Sequence, residues 1–166
     1  MKSSAQIVVR PVTPGDAARL QDAFDHLSPE SRRRRFHSAG VRLTNADAQY
    51  LATVDHQTNE ALAAIDPASG AIVGVARYAA LVREPAVAEI AVAVVDDWQR
   101  QGVGRELVHE LLERASANGY DRVVAYVDPD NNFVLDWLAR AGAVTSTGQS
   151  DLYTLAIEPT RLPRAA

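Results

Sequence analysis

The stretch that most constrains this chain is VVDDWQRQGVGREL, residues 94–107. An apolar, strand-like run enters two glycines, Gly102 and Gly104, and leaves in a helical pattern. Glycine after a strand lets backbone approach something closely, since no Cβ stands in the way. The helix that follows offers N–H groups without intrahelical partners and the positive end of its dipole. Peptide N–H groups from Gln99 through Arg100, Gln101, Gly102 and Val103 to Gly104 are therefore candidates to turn inward together as an anion cradle. Arg100 and Arg105 add charge at its rim. The spacing is not that of a P-loop, because no Gly-Lys-Ser/Thr follows, nor of a dinucleotide fingerprint, because Leu107 stands where a third glycine belongs. A tight strand-to-helix turn that holds nothing fits the same spacing.

Composition narrows what such a loop could serve. The 166 residues suffice for one domain with a substantial core. A net charge of -4 argues against a general nucleic-acid coat. No cysteine is present, which excludes thiolate metal sites and a thiol nucleophile within this chain. Neither a signal-peptide pattern nor a run of about 20 apolar residues occurs, so a cytoplasmic protein with no membrane partner is expected.

Helix starts are marked by Thr13-Pro14 with Asp16, by Ser28-Pro29, and by Thr44 with Asp47 at capping-box spacing. QIVVRPV, EALAAID, GAIVGVARYAAL and VAEIAVAVV read as strands, with DPASGA as a turn. VGRELVHELLERASANG reads as a long amphipathic helix, with Glu110 and Arg114 paired on its outer face. RVVAYV, AVTST and DLYTLAI are further strands, and NNFVLDWLARAGA a further helix. The order β-α-α-α-β-β-β-α-β-α-β-β predicts a mixed α/β fold. One domain is expected over 1–158, followed by a frayed tail at 159–166, and DLYTLAI is a candidate edge strand for pairing across a dimer.

Strand, Gln-x-x-Gly-x-Gly and amphipathic helix together resemble the acetyl-CoA motif of the GNAT superfamily of N-acetyltransferases. Downstream, DNNFVLDWLARAGA is similar to that superfamily's ENxxMLxLxxxLGF segment, with Asn131 on its asparagine and Gly142 on its glycine. The two matches cover roughly residues 86–145 in the family's order. PESRRRRF and LATVDHQTNEALAA further resemble the acetyltransferase domain of Pat-type protein lysine acetyltransferases. The resemblance implies a central mixed, mostly antiparallel sheet with helices on both faces. It also implies acetyl-CoA as co-substrate without a metal, and direct transfer to a primary amine, a protein lysine being the first reading of the acceptor. A small amine or amino acid acceptor, or a non-catalytic acyl-CoA-binding domain, are the alternatives. Oligomeric state is left open between monomer and homodimer.

The resemblance also distributes roles. Backbone at Val92 and Val94 would pair with the pantetheine arm, and an N–H near Val92 or Ala93 would face the thioester oxygen. Glu89, the only charge in VAEIAVAVV, is the base candidate. Period two places it on one strand face with Ala91 and Ala93, whose small size leaves room for substrate, and partly apolar surroundings suit a carboxylate base. A glutamate on a wet strand end reads the same way from pattern alone. Asn131 is either a ligand to pantetheine or a helix-start residue. Where many family members place a tyrosine acid, seven residues after the asparagine, this chain has Leu138. Tyr78 and Tyr126 read as core aromatics. Arg32 to Arg35 read first as a solvated helix end, and otherwise as a docking surface for an acidic partner or a carboxylate beside the target amine. His26, His37, His56 and His109 show no metal-ligand spacing, and His109 reads as solvated.

Overall fold

The computed structural model describes residues 6–38, 40–147 and 153–159. Seven strands form one sheet in the order β1-β2-β3-β4-β5-β7-β6. They are β1 (Val8–Pro11), β2 (Asn59–Ile65), β3 (Ile72–Leu81), β4 (Glu84–Val94), β5 (Arg122–Val127), β6 (Val144–Thr147) and β7 (Tyr153–Ile157). The helices are α1 (Ala17–Asp25), α2 (Pro29–Phe36), α3 (Asn45–Ala52), α4 (Val103–Ala117) and α5 (Asn132–Arg140). Every strand pair is antiparallel except β4 with β5. Element order and fold class are those the pattern predicts.

Local chemistry explains the helix starts. Thr44 N–H and hydroxyl donate to the Asp47 carboxylate at 2.9 and 2.6 Å, and Asp47 N–H returns a bond to the Thr44 hydroxyl at 3.1 Å. Ser28 Oγ accepts the Ser31 N–H at 3.1 Å, with Pro29 in the first turn. Asp16 receives the Thr13 N–H at 2.9 Å and a two-pronged bond from Arg10 at 2.7 Å on each oxygen. That guanidinium, followed by the desolvation it overcomes, holds the Asp16 carboxyl far below the usual carboxylate range.

Helices cover both faces. α4 lays Val103, Leu107, Val108, Leu111 and Leu112 on the face of β3 and β4 that carries Ala76, Tyr78, Ala88 and Ile90. The opposite face, with Ala61, Ala63 and Ile72, is covered by α1 and by Ala52 of α3. α5 packs Leu138 against Val127 of β5. α4 approaches β3 so closely that a Cβ on Gly74 would lie 2.9 Å from Leu107 Cδ1 and 3.1 Å from Val103 Cγ1.

Three expectations are corrected. Arg114 does not pair with Glu110 across the helix; its guanidinium reaches Glu60, buried at the start of β2, at 3.2 Å. The fully buried Glu60 outcompetes the half-buried Glu110 for the same cation, because water screens it less. His56 Nδ1 lies 2.7 Å from the same Glu60 carboxylate. DLYTLAI is not an edge: β7 lies between β5 and β6, so its backbone groups are paired on both sides. His109 is half-buried, 4.0 Å from Glu113, rather than free in solvent. The tail beyond Pro159, which is itself buried, lies outside the described residues, as do Asp151 and Leu152. Among the described residues no helix is long and apolar enough to cross a membrane.

Candidate active site

β4 keeps its partner on one side and loses it on the other. Its pairing with β3 runs the full length to Val94. Its pairing with β5 spans only Val87↔Arg122 to Ile90↔Ala125. Past Ile90 the two strands part, and the free edge of β4 borders a cleft of ≈ 700 Å³. Parity fixes which peptides look into it. Val95 N–H donates to the Val73 carbonyl, so residue 95 turns its backbone toward β3. Val94 therefore turns the other way, and its carbonyl accepts the Gln99 side-chain amide at 3.0 Å. Val92 shares that orientation, whereas Ala93 turns its peptide to β3 and lines the cleft with its side chain.

At the end of this edge lies the glycine loop. Arg100 (φ 58°) and Gly102 (φ 89°) are both left-handed and curl the chain into α4, but the Gln99 N–H, expected in the cradle, donates instead to the Asp96 carbonyl at 3.2 Å. Arg100 holds a conformation that costs a non-glycine residue on the order of 1 kcal/mol. The first helical bond of α4 is Glu106 N–H to the Gly102 carbonyl at 3.0 Å, so the N–H groups of residues 103–105 have no helical partner. Gly104 differs from Gly102. Its φ is not left-handed, and a Cβ there would meet only Val94 Cγ2, at an ordinary 3.5 Å. The fold does not need glycine at 104; the cleft gains the space.

The expected residues divide into two groups. Glu89, Val92, Ala93, Val94, Gln99, Arg100, Gly102, Gly104, Arg105 and Asn131 all line the cleft. Gln101 and Val103 support the loop from behind: the Gln101 amide donates to the Asp97 carbonyl at 2.6 Å, and Val103 is buried in the α4 core. Asn131 occupies the N-cap position of α5, yet its side chain makes no capping bond. Glu89 is half-buried just before the strands part, opposite Ala79 of β3 and Val124 of β5. Tyr126, two residues beyond Val124, shares that face and lines the cleft, so it is not the core aromatic expected. Tyr78 is one: it is buried, donates to the Gln57 carbonyl at 3.1 Å and accepts from Asn118 at 2.6 Å. Leu138 is a buried cleft-wall residue.

The arginine run is not a solvated helix end. α2 has no buried residue of its own, so its guanidinium groups do the docking. Arg32 sits 4.6 Å over the Phe24 ring. Arg33 spans to Asp128 at 3.1 Å and Asp130 at 3.4 Å in the turn after β5. Arg34 pairs with Glu30 at 2.7 Å, and Arg35 lies 4.7 Å over Phe36 at the cleft. The other end of α2 is tied to the loop region. Asp96 accepts from Ser28 N–H at 2.9 Å and Ser31 Oγ at 3.1 Å, and Gln99 donates to Ser31 Oγ at 3.1 Å. Local sequence carries no signal for these bonds, which join residues 65 or more positions apart.

With this geometry in place, the family follows. Residues 20–143 match the model of the acetyltransferase (GNAT) family, and the chain belongs to it. It is 33% identical over 136 residues to the acetyltransferase Pat of Mycolicibacterium smegmatis; the match covers 82% of this chain and 40% of that longer relative. An acetyltransferase of Pseudomonas aeruginosa is 29% identical over 147 residues, 87% of this chain and 77% of that protein. Among solved structures, the GNAT domain of S. lividans PAT superposes with a TM-score of 0.83 at 29% identity, covering 92% of this chain and 90% of that one.

Proposed function

We propose that this chain transfers the acetyl group of acetyl-CoA directly to a primary amine in the cytoplasm, with a protein lysine side chain as acceptor. One observation carries the proposal: an unpaired strand edge runs along a cleft into a left-handed loop of free N–H groups. Pantetheine offers amides that an unpaired strand edge pairs with, and its diphosphate end suits the loop. The residues present therefore fit the co-substrate. Val92 and Val94 would hold the pantetheine arm, and residues 102–105 the diphosphate, with Arg100 and Arg105 at the rim. Asn131, free of any capping bond, would hydrogen-bond the arm.

Bound acetyl-CoA supplies an acyl group activated for attack by an amine. The Val92 N–H would donate to the carbonyl oxygen as it gains charge. Glu89 would take the ammonium proton, directly or through one water. As the amide forms, the C–S bond would break and the CoA thiolate would leave, to be protonated by water, since Leu138 offers no acid. Direct attack suits a chain without cysteine. The lysine reading is supported by the similarity to Pat-type domains, extended by the placement of PESRRRRF along the cleft wall.

The test is acetyl-CoA titration by calorimetry, followed by transfer to lysine peptides by wild type and Glu89→Gln. The variant is expected to bind acetyl-CoA as the wild type does and to lose about 100-fold or more in kcat. An unchanged kcat would remove Glu89 as the base. Binding without any turnover, across peptide, polyamine and amino-acid panels, would leave an acyl-CoA-binding domain.

A further inference from the structure

The face of the sheet that carries Glu89 also carries positive charge that acetyl transfer leaves unused. Arg77 stands on β3 opposite Ala91, one same-face step along β4 from Glu89. Arg35 arrives from α2. Together they line a cavity of ≈ 60 Å³ walled by Phe24, Leu43, Leu51 and Val75. The cavity shares Arg35, Phe36 and Ala93 with the cleft, and so adjoins it.

Both guanidinium groups are desolvated and without an ion pair, whereas Arg100 and Arg105 at the cleft rim, also without one, are exposed. Arg10, Arg33, Arg34, Arg114 and Arg122 each have a carboxylate within ion-pair distance. Among the described residues Arg35 and Arg77 have none. Arg77 donates to the Leu51 carbonyl at 2.6 Å, and Arg35 lies over the Phe36 ring. A guanidinium has five N–H donors, so most remain for a ligand. Burial weakens the hold of both groups on their protons, and at Arg77, brought down to about 10, the Arg35 charge adds to it. Two partly desolvated like charges in an apolar pocket are costly until an anion joins them. Glu89 is close enough for its charge to be felt at Arg35 but makes no ion pair with it.

We propose that Arg35 and Arg77 hold a carboxylate of the acceptor beside the amine that Glu89 deprotonates. The proposal rests on the acetyl-transfer reading of the site and narrows its acceptor class to amines with a neighbouring carboxylate. The fork geometry of arginine matches a carboxylate, and the cavity has room for a group of that size. The carboxylate is either that of a free amino acid or an acidic side chain next to the target lysine of a protein.

Binding tests this, with the full chain saturated with CoA. The CoA titration itself comes first, so that a failure of the acetyl-transfer reading is seen separately. One arm compares free amino acids with their amides, and the other compares lysine peptides flanked by Glu with the same peptides flanked by Gln. In one arm the carboxylate member should bind about tenfold tighter or better, the scale of a hydrogen bond to a charged group, and that arm names the source. Arg35→Gln and Arg77→Gln should each erase most of the difference and leave CoA affinity unchanged. Equal binding, or no binding, in both arms overturns the proposal. So does an Arg35→Gln variant that weakens acid and amide members alike. Should the glutamine variants not fold, Arg35→Lys decides: a reduced preference supports the site, and an unchanged one overturns it.

Discussion

Replacing Gly104 by glutamate should weaken acetyl-CoA binding about a hundredfold while leaving the fold at least as stable, whereas replacing Gly102 by alanine should first cost stability. At 104 the backbone is not left-handed and the new Cβ makes only an ordinary contact with Val94. Leaving glycine in a helix gains up to about 1 kcal/mol, and a carboxylate in the first turn adds about 0.3–1 kcal/mol. In the cleft the same carboxylate meets the diphosphate. At about 5 Å and an effective dielectric of about 20, one pair of like charges repels by about 3 kcal/mol, roughly two orders of magnitude in Kd. At 102 the φ of 89° must be kept by a residue with a Cβ. That strain is on the order of 1 kcal/mol, or about 3 °C in Tm for a chain of this size. Calorimetry and thermal melting on the same samples read both quantities. If Gly104→Glu binds acetyl-CoA as the wild type does, or lowers Tm while Gly102→Ala does not, the assignment of one glycine to the ligand and the other to the turn is refuted.

Three further outcomes are expected. Glu60→Ala leaves the buried Ala61 N–H without its acceptor and the half-exposed Arg114 and His56 without their partner, and should cost about 1–3 kcal/mol in urea unfolding without changing acetyl-CoA affinity. Gly74→Ala forces overlap with Leu107 and Val103, and should cost about 1–3 kcal/mol; because it displaces the first turn of α4, acetyl-CoA binding should weaken with it. Asp16 has a folded pKa depressed by Arg10, so its stabilisation is present above the unfolded value of about 4 and is lost as pH falls from there toward the folded value. Asp16→Asn should therefore be less stable at pH 7 and lose less on acidification, as read by urea midpoints between pH 7 and pH 3.

What the sequence disclosed follows how far each interaction reaches along the chain. The caps at Ser28 and Thr44 are bonds across three residues, and the residue types alone announce them. The strands were readable from alternation, and α4 from its four-residue apolar repeat. The loop's glycines were legible, but the left-handed Arg100 was not, since no residue preference marks it. The parting of β4 from β5 lay beyond sequence reading for a different reason. Both strands have strand-like composition throughout, and only their relative register shows where pairing stops. The same holds for Glu60, which looks like an ordinary charged strand residue until Arg114 arrives from 54 positions away.

α2 shows how an element with little core of its own becomes central to a site. Its eight residues bury no side chain, so packing alone would leave it marginal. Besides the packing of Phe36 and Arg32 on Phe24, it is held by polar contacts at its two ends. Ser28 and Ser31 meet Asp96 and Gln99, which in turn braces the Val94 carbonyl at the end of the free strand edge. Arg33 meets Asp128 and Asp130, at the turn that leads to Asn131. One helix thus spans from the loop that would hold the diphosphate to the start of the helix that would hold the pantetheine arm. Arg35 is carried between those two anchors and set at the cleft near Glu89. Gln99 and Ser31 form the bonded link between the loop and α2, and loss of the Gln99 amide is the substitution that tests whether Arg35 depends on it. Gln99→Ala should weaken acetyl-CoA binding by loosening the loop from the end of the strand edge, and should also blunt any acid-over-amide preference. A Gln99→Ala variant with an intact preference would show that Asp96 and Arg33 hold α2 in place without the Gln99 bond.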